Sequence, residues 1–505
     1  MADTDVLIVG AGPTGLVLAL WLARIGVRLR IVDRSEGPGT ASRALAVQAR
    51  TLEFYRQLGL AEAAIAGGRA APAFNLWAGG RHRARVAFAE GMEDITPYPF
   101  VLVYGQDANE RLLEGALARA GVTVERSTEM TGFAQDAAGV TARLRPPDGG
   151  EETCRAAWLA GCDGARSSVR EGLGIGFPGG TYDRFFYVAD IEAEGPAMNG
   201  EVHVNLDGAS EFLAVFPMAG TGRARLVGTF LEDHPDRPET LGFEDVSAQA
   251  MERLGIAPRA VNWFSTYRVH HRVADRFRQG RAFLLGDAGH IHSPAGGQGM
   301  NTGMGDAVNL AWKLGMVLEG RAGEALLDSY EQERIGFARR LVATTDRAFT
   351  LATSDTPRAR FLRTRVVPLL ASVFRIRAAR RLAFRTVSQT ALGYRGGLLA
   401  RGRAGRLQGG DRLPWVAEAA EAFVAPSPGA WRLRVHGSAA PGLEAWARGA
   451  GVAVQALPWS EAAAAAGFAR DAAYLVRPDG YIALASSDGS PHELRGYFSA
   501  APFGP

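Results

Sequence analysis

A chain of 505 residues, 47 % hydrophobic and 22 % charged, has the make-up of a globular protein of roughly three domains. Its formal net charge is only +3 although the pI is near 9.0, and the basic residues, all arginine except Lys313, are scattered rather than gathered into a run, which argues against a nucleic-acid partner. The start, Met1-Ala2-Asp3-Thr4-Asp5, has no positive stretch, and the apolar run Val6-Leu7-Ile8-Val9 is too short for a signal peptide or a span, so a cytoplasmic protein with no membrane partner is expected. Cys154 and Cys162 cannot make a disulfide framework and have no metal-ligand spacing around them; no metal is expected.

In chain order, residues Asp5 to Gly10 read as a short buried strand, Pro13 to Ile25 as an apolar helix closed by Gly26, and Arg28 to Asp33 as a second strand, a βαβ unit. An amphipathic helix follows over Asp107 to Ala120, opened by an Asp107/Glu110 capping pair, then short strands around Val122 to Glu125, Val140 to Arg145 and Trp158 to Gly161. Between Thr181 and Tyr267 the pattern becomes alternating and aromatic-rich, with strands over Arg184 to Ile191, Glu201 to Leu206, Phe212 to Phe216 and Arg223 to Phe230. That predicts a second, mostly antiparallel layer inserted in the first domain. Arg281 to Gly286 returns to buried-strand character, and helices run from Asn301 to about Ala343. Thr356 to Ala391 is arginine-studded with a helical period; a solvated helical face is preferred over a membrane-surface helix as its reading. Gly396 to Gly410 reads as a linker. Beyond it a strand (Trp431 to Val435), a helix (Leu443 to Arg448), a strand (Val452 to Leu457) and a hairpin (Ala473 to Leu484, turning at Pro478-Asp479-Gly480) predict a small α/β domain.

Three segments carry chemistry. Gly10-Ala11-Gly12-Pro13-Thr14-Gly15 follows a strand and opens a helix, with Asp33 18 residues after Gly15 at the end of the next strand. Gly10 permits the tight turn, Gly12 a close approach to a pyrophosphate and Gly15 helix–strand packing; the helix N-terminus offers N–H donors, and Asp33 can accept from ribose hydroxyls. Gly286-Asp287-Ala288-Gly289-His290 and Pro294 to Asn301 end another buried strand and enter a helix, whose positive end would favour an anionic reduced flavin. Gly161-Cys162-Asp163-Gly164-Ala165-Arg166-Ser167-Ser168-Val169-Arg170 is a third strand–turn–helix with an acid and two arginines.

Together these segments resemble the class A flavoprotein monooxygenases of the para-hydroxybenzoate hydroxylase and phenol hydroxylase type, and most of all the aromatic polyketide hydroxylases. The resemblance implies an α/β protein: a Rossmann-like FAD-binding domain (1–180 with 268–345), an inserted β substrate domain (181–267, helped by 74–104), a helical segment (346–398) and a C-terminal thioredoxin-like domain (399–505) without cysteines. It implies that Gly10, Gly12, Gly15, Asp33, Arg34, Arg43, Gln106, Asp163, Arg166, Asp287, Gly296, Gly299, Met300 and Asn301 hold non-covalent FAD, with Arg43 and Pro294 closest to the chemistry. No second GxGxxG with a following acid exists, since Gly449-Ala450-Gly451 lacks the sequel, so NADPH or NADH is expected as a transient co-substrate. The implied reaction is hydroxylation of an aromatic, phenolic or polycyclic polyketide-like molecule by O2 through a C4a-hydroperoxyflavin, with Trp77, Phe100, Tyr104, Phe186, Phe212, Phe216 and Pro217 as candidate lining residues. The stretch Ala44-Leu45-Ala46-Val47, read as helix, carries no acid where phenol hydroxylases place one, and no general base is named. His270, His271 and His292 are read as structural. Baeyer–Villiger insertion, a flavin dehydrogenase and a non-catalytic aromatic-ligand binder are the rival readings; no Trp-x-Trp-x-Ile-Pro signature of a halogenase is present. A homodimer is left open.

Overall fold

The computed structural model describes residues 3–39, 44–87, 90–206, 212–230, 241–293, 296–354, 356–362, 372–424 and 429–500. Among these, strands form sheets of seven, eight, six and three members. The chain enters through β1 (Thr4–Val9), α1 (Pro13–Arg24) and β2 (Leu29–Val32). Its apolar strands are buried on both faces, as a parallel sheet with helices on each side requires, and the 0 % exposure of Leu16 to Leu22 makes α1 a core helix rather than an amphipathic one. In the seven-stranded sheet β1 lies between β2 and the strand Glu152–Gly161, and Ala282–Leu284 pairs on the far side of that strand, all in parallel. Glu129–Gln135 and Val140–Arg145 form an antiparallel flap on the first half of the Glu152 strand.

The eight-stranded sheet is built on two long partners, Gly179–Glu194 and Ala257–Val273, continued antiparallel by Arg223–Thr229, Leu213–Pro217 and Val202–Asn205. Ala73–Ala78 then joins in parallel and Arg81–Ala87 closes the edge. The C-terminal sheet places Ala453–Leu457, Arg432–His436, Ala473–Val476 and Ile482–Ser486 side by side.

Several sequence expectations are corrected. Gly396 to Gly410 is not a linker: Arg401–Ala404 and Leu407–Gln408 are strands, and the first pairs with Ile482–Ser486. Ala44 to Val47 is not a helix; Ala46–Val47 is a strand, β3, held by Val101–Val103, and a helix, α2, spans Ala49–Gln57. The 14-residue helix Gln106–Arg119 starts one residue early on Gly105 without a side-chain cap. Glu110 instead accepts from Gly39 N–H (2.7 Å) and Gln106 Nε2 (2.8 Å). Val122 to Glu125 contributes a single bridge, Glu125 to Val32, rather than a strand.

Candidate cofactor and active site

The parallel register puts Val32, Val9, Gly161 and Leu284 in one row. Asp33, Gly10, Cys162-Asp163 and Leu285 to Asp287 therefore all emerge at one carboxyl edge, where open α/β sheets bind their ligands. Within that edge the glycines differ. Gly10 has φ +102°, and a Cβ there would lie 2.3 Å from the Cys162 carbonyl oxygen; one on Gly15 would lie 2.0 Å from the Gly10 oxygen. These two serve the protein's own packing. A Cβ on Gly12 would meet nothing within 4 Å, so that position keeps open space at the N-cap of α1, which has no side-chain cap and no acid in its first turn. Asp33 ties the turn together, accepting from Ala11 N–H (2.6 Å) and Ser35 N–H (2.8 Å).

Asp163 accepts from Ser168 Oγ (2.9 Å) and Val169 N–H (3.1 Å) through Oδ2, while its Oδ1 is buried with no partner. Burial pushes the Asp163 carboxyl above its usual range. A buried acceptor of this kind calls for a donor from a bound molecule. Arg166 is exposed. Arg170, the second arginine of the segment and one to which the sequence reading gave no role, is buried and bridges the two acidic loops, donating to the carbonyls of Ala165 (2.9 Å) and Ala288 (3.1 Å). Its place one helical turn after Arg166, on the side facing Phe177, was the signal available.

Gly286 and Gly303 both pack on Thr14 Oγ1, at 2.7 and 2.3 Å from where their Cβ atoms would stand, which presses the Asp287 loop, α1 and the helix Gly299–Leu318 together. Asp306 fixes this junction from beneath. It accepts from Gly286 N–H (3.1 Å) and Arg334 Nε (2.5 Å) and lies 2.7 Å from His290 Nε2. Although burial opposes it, Arg334 and His290 hold the Asp306 carboxyl below the usual range. Asp287 itself and Arg34 are exposed.

Arg43 and Pro294 lie outside the described residues. Beyond Pro294, Gly296 (φ +80°) and Gly297 (φ +60°) are left-handed in succession, and Gly297 sits close on Ala46. The Asn301 side chain is saturated by protein. It accepts from Gln48 N–H and Thr51 Oγ1 (2.8 Å each) and donates to the carbonyls of Ala46 (2.8 Å) and Gly297 (2.9 Å), so it clamps the loop and has only its backbone to offer a cofactor. Met300 Sδ receives Asn109 Nδ2 (3.7 Å), and Gln106 is engaged with Glu110. His292 enters the same loop: its Nδ1 lies 2.7 Å from the Ser293 oxygen and its buried Nε2 has no partner, 3.5 Å from where a Gly299 Cβ would stand. Burial pushes the His292 imidazole down to about 4, so a neutral acceptor faces the start of the helix.

The eight-stranded sheet has two unlike faces. Phe186, Phe212, Phe216, Val188, Ala214 and Val227 share one with Tyr267 and Trp263, and this face meets Leu45 and Val103 beside β3, the strand Ala46–Val47 that Gly297 and Asn301 grip. Trp77 packs on the opposite face with Tyr187, Leu213 and Val215, its Nε1 donating to His203 Nδ1 (3.1 Å). Pro217 falls on that side by strand alternation. Tyr104 and Phe100 belong to the core of the seven-stranded layer, with Tyr104 Oη donating to the Ala108 carbonyl (3.0 Å). Phe186, Phe212 and Phe216 are thus brought together, and Trp77, Pro217, Tyr104 and Phe100 are placed apart from them.

A glycine kept open at an uncapped helix start, an orphaned buried carboxylate oxygen and a glycine-rich loop around a second long helix fit a pyrophosphate, sugar hydroxyls and a flat ring in that order along one edge. The family model for an FAD binding domain matches residues 3–345. The chain belongs to the FAD binding domain family. This flavoprotein is 42 % identical over 349 residues to the 6-methylpretetramide 4-monooxygenase of Streptomyces rimosus, a match covering 69 % of the chain and 62 % of that relative, less than two thirds of its length. Among solved structures it resembles the anhydrotetracycline hydroxylase of Streptomyces rimosus (TM-score 0.78, 32 % identity, 99 % of both chains covered). It also resembles an aklavinone-11 hydroxylase solved with FAD and aklavinone (TM-score 0.78, 28 % identity, 99 % of both chains). Its cofactor is FAD. Among the described residues no helix is long and apolar enough to cross a membrane, and no cluster of His, Cys, Asp and Glu could hold a metal.

Proposed function

We propose that the chain is an FAD-dependent monooxygenase that consumes NAD(P)H and O2 to hydroxylate an aromatic, phenolic or polycyclic polyketide-like, molecule. The observation that carries the substrate half is the aromatic face of the inserted sheet, which abuts the very loop that Asn301 clamps to the glycine-rich turn. The names of the relatives, which concern tetracycline-type and aklavinone ring systems, support a fused-ring substrate. Bound FAD, once reduced, supplies the activation of O2 that no side chain can provide. The protein's part is positional. Gly12 and the start of α1 hold the pyrophosphate, Asp33, Asp163 and Asp287 take hydroxyl groups of the cofactor, and the turn Gly296 to Asn301 lies against its ring system. Phe186, Phe212 and Phe216 hold the substrate ring and keep water away from it. The nicotinamide cofactor binds transiently.

In this reading residues 1–180 with 268–345 form the cofactor domain, 181–267 with 74–104 the substrate layer, and 346–398 a helical connection. The terminal part, 399–505, is thioredoxin-like: its strand–helix–strand–helix–hairpin–helix path and central sheet order support that. Both cysteines lie outside it, which leaves it packing or subunit contact rather than redox work. The enzyme is read as cytoplasmic, with a homodimer as its candidate assembly.

The test is a panel assay on flavin-loaded protein. Fused-ring phenols should accelerate NADPH or NADH oxidation and yield a ring hydroxyl carrying one atom of labelled O2. A lactone product would instead mean Baeyer–Villiger insertion, unlabelled product a dehydrogenase, and tight binding without faster oxidation a ligand-binding protein.

A further inference from the structure

The strand Arg432–His436 runs inside the terminal sheet, between Ala473–Val476 and Ala453–Leu457. Alternation puts Leu433 and Val435 on one face, against Trp431 and Leu443, and Arg432, Arg434 and His436 on the other. Each of these three is 1 % exposed. Tyr474, the register partner of Arg434, shares their face with Phe423 and Phe468, and the Phe468 ring packs on His436 at 4.3 Å.

The two guanidiniums converge on one neutral atom. Arg432 Nη1 donates to the carbonyls of Phe423 (2.6 Å) and Ala422 (3.3 Å), and Arg434 Nη2 donates to the same Ala422 carbonyl and to Gln455 Oε1 (3.3 Å). Nε of Arg432 and both Nε and Nη1 of Arg434 are buried without a partner. Among the described residues no carboxylate pairs with either arginine, since the buried acids nearby are already held: Glu53 by Arg50 and Arg412, and Asp479 by Arg477. Burial, then the Arg434 and Arg50 charges, pull the Arg432 guanidinium down to about 9, and burial pulls Arg434 down to about 10, so both stay charged at neutral pH. Burial and Arg434 push the His436 imidazole down to about 4, against the Pro458 carbonyl; it is neutral and adds no third charge. Two neighbouring cations with three idle donors in an aromatic core carry a heavy desolvation cost. Water could satisfy the donors but not the charge; an anion does both.

We propose that Arg432 and Arg434 bind a small monovalent inorganic anion, chloride in ordinary solution, in the core of the terminal domain. The idle donors define its ligands: Nε of Arg432, and Nε and Nη1 of Arg434. A halide accepts from several N–H groups at once without directional demand. Phosphate or sulfate carries more charge and would lose far more hydration on entering a site walled by Phe423 and Phe468. The anion also braces the contact with α2. The carbonyls that the arginines grip belong to the turn Glu421–Phe423, and Ala420 just before it accepts from Arg56 Nη2 of α2 (3.3 Å), whose guanidinium lies over Trp415 (5.6 Å). The site does not depend on the reaction that the flavin supports.

Two measurements on the full FAD-loaded chain test it. Crystals transferred to sodium bromide should show an anomalous bromide peak within hydrogen-bond reach of Arg434 Nε and Nη1. In urea unfolding at fixed ionic strength, chloride replacing gluconate should stabilise the parent saturably; for a dissociation constant of about 10 mM, about 200 mM chloride lowers the unfolding equilibrium constant about twentyfold. Arg434→Met, which keeps an unbranched side chain without the charge, should lose both the peak and the chloride response while retaining FAD. Should that variant not fold, the peak and the response of the parent decide alone. Absence of bromide from these nitrogens would overturn the site, as would an equal chloride response in Arg434→Met. A bromide peak with no chloride response in solution would mean an adventitious ion only and would overturn it equally.

Discussion

At the scale of single residues, the three glycines of the first turn separate folding from cofactor binding. Gly10→Ala asks for a side chain at φ +102° and 2.3 Å from a main-chain oxygen; neither can give way, so a loss of about 2–4 kcal/mol is expected. Gly12→Ala places a methyl where the protein has nothing within 4 Å. Its apo form should unfold within about 0.5 kcal/mol of the parent, yet its FAD affinity should fall at least tenfold, because the methyl occupies the approach of the pyrophosphate. Chemical denaturation of the apo proteins alongside fluorescence titration with FAD checks both. Equal loss of stability in the two variants would remove the distinction. The spacing of these glycines and the division of labour among them were legible in the sequence; what was not is that Cys162, a residue 152 positions from Gly10 in the chain, closes over Gly10.

Elements were legible wherever their pattern was local. The βαβ opening and the terminal hairpin at Pro478-Asp479-Gly480 follow from apolar periodicity and turn chemistry, and both are found. The reading failed where a partner distant in sequence decides. Residues 401–404 look like linker because two arginines and a glycine mask a strand whose partners are Leu407–Gln408 and the distant Ile482–Ser486. Glu110 looks like a cap but is drawn to Gly39. The bonds of the Asn301 side chain were hidden in the same way: three of the four go to Ala46, Gln48 and Thr51, which the chain order cannot place beside it, and the fourth to Gly297 of its own loop. Asn301→Asp would keep the shape, turn two donors into acceptors facing two carbonyls and bury a charge. The expected cost is about 2–4 kcal/mol, with FAD retention lost through a loosened Gly296–Gly299 turn. Gel filtration of reconstituted protein, reading flavin absorbance per chain, together with a urea melt, measures the two effects; an Asn301→Asp protein that melts like the parent would mean the clamp is not needed.

At the scale of the whole molecule, a buried polar chain ties the terminal domain to the cofactor edge. Glu333 on the long helix receives Arg477 (2.6 and 2.9 Å), Lys313 (2.9 Å) and Asn309 (2.7 Å), and Arg477 also pairs with Asp479, which takes the Trp312 indole N–H (3.2 Å). One residue further along the helix, Arg334 joins Tyr394 (3.0 Å) to Asp306, and Asp306 holds Gly286 and His290 of the cofactor loop. A second anchor, Arg412, is paired with Glu53 of α2. Buried pairs of this kind add little net stability when whole, yet breaking one strands an uncompensated charge at a cost of about 3–5 kcal/mol. Arg477→Met should therefore leave Glu333 and Asp479 buried without their shared cation, undock the terminal domain and weaken FAD binding from a distance, although residue 477 touches no part of the cofactor edge. Acid should act through the same point. Burial works against its charge, but Arg477 and Lys313 hold the Glu333 carboxyl down at about 2, so the unfolded chain takes up this proton first and stability falls as pH drops from about 4.5 towards 2. The Arg477→Met protein, having already lost the stronger partner, should show a shallower fall over that window. Hydrogen exchange across residues 473–486, with FAD affinity measured in parallel, would follow the undocking. Unchanged protection there together with unchanged FAD affinity would mean that the terminal domain rides on the flavoprotein without supporting its site.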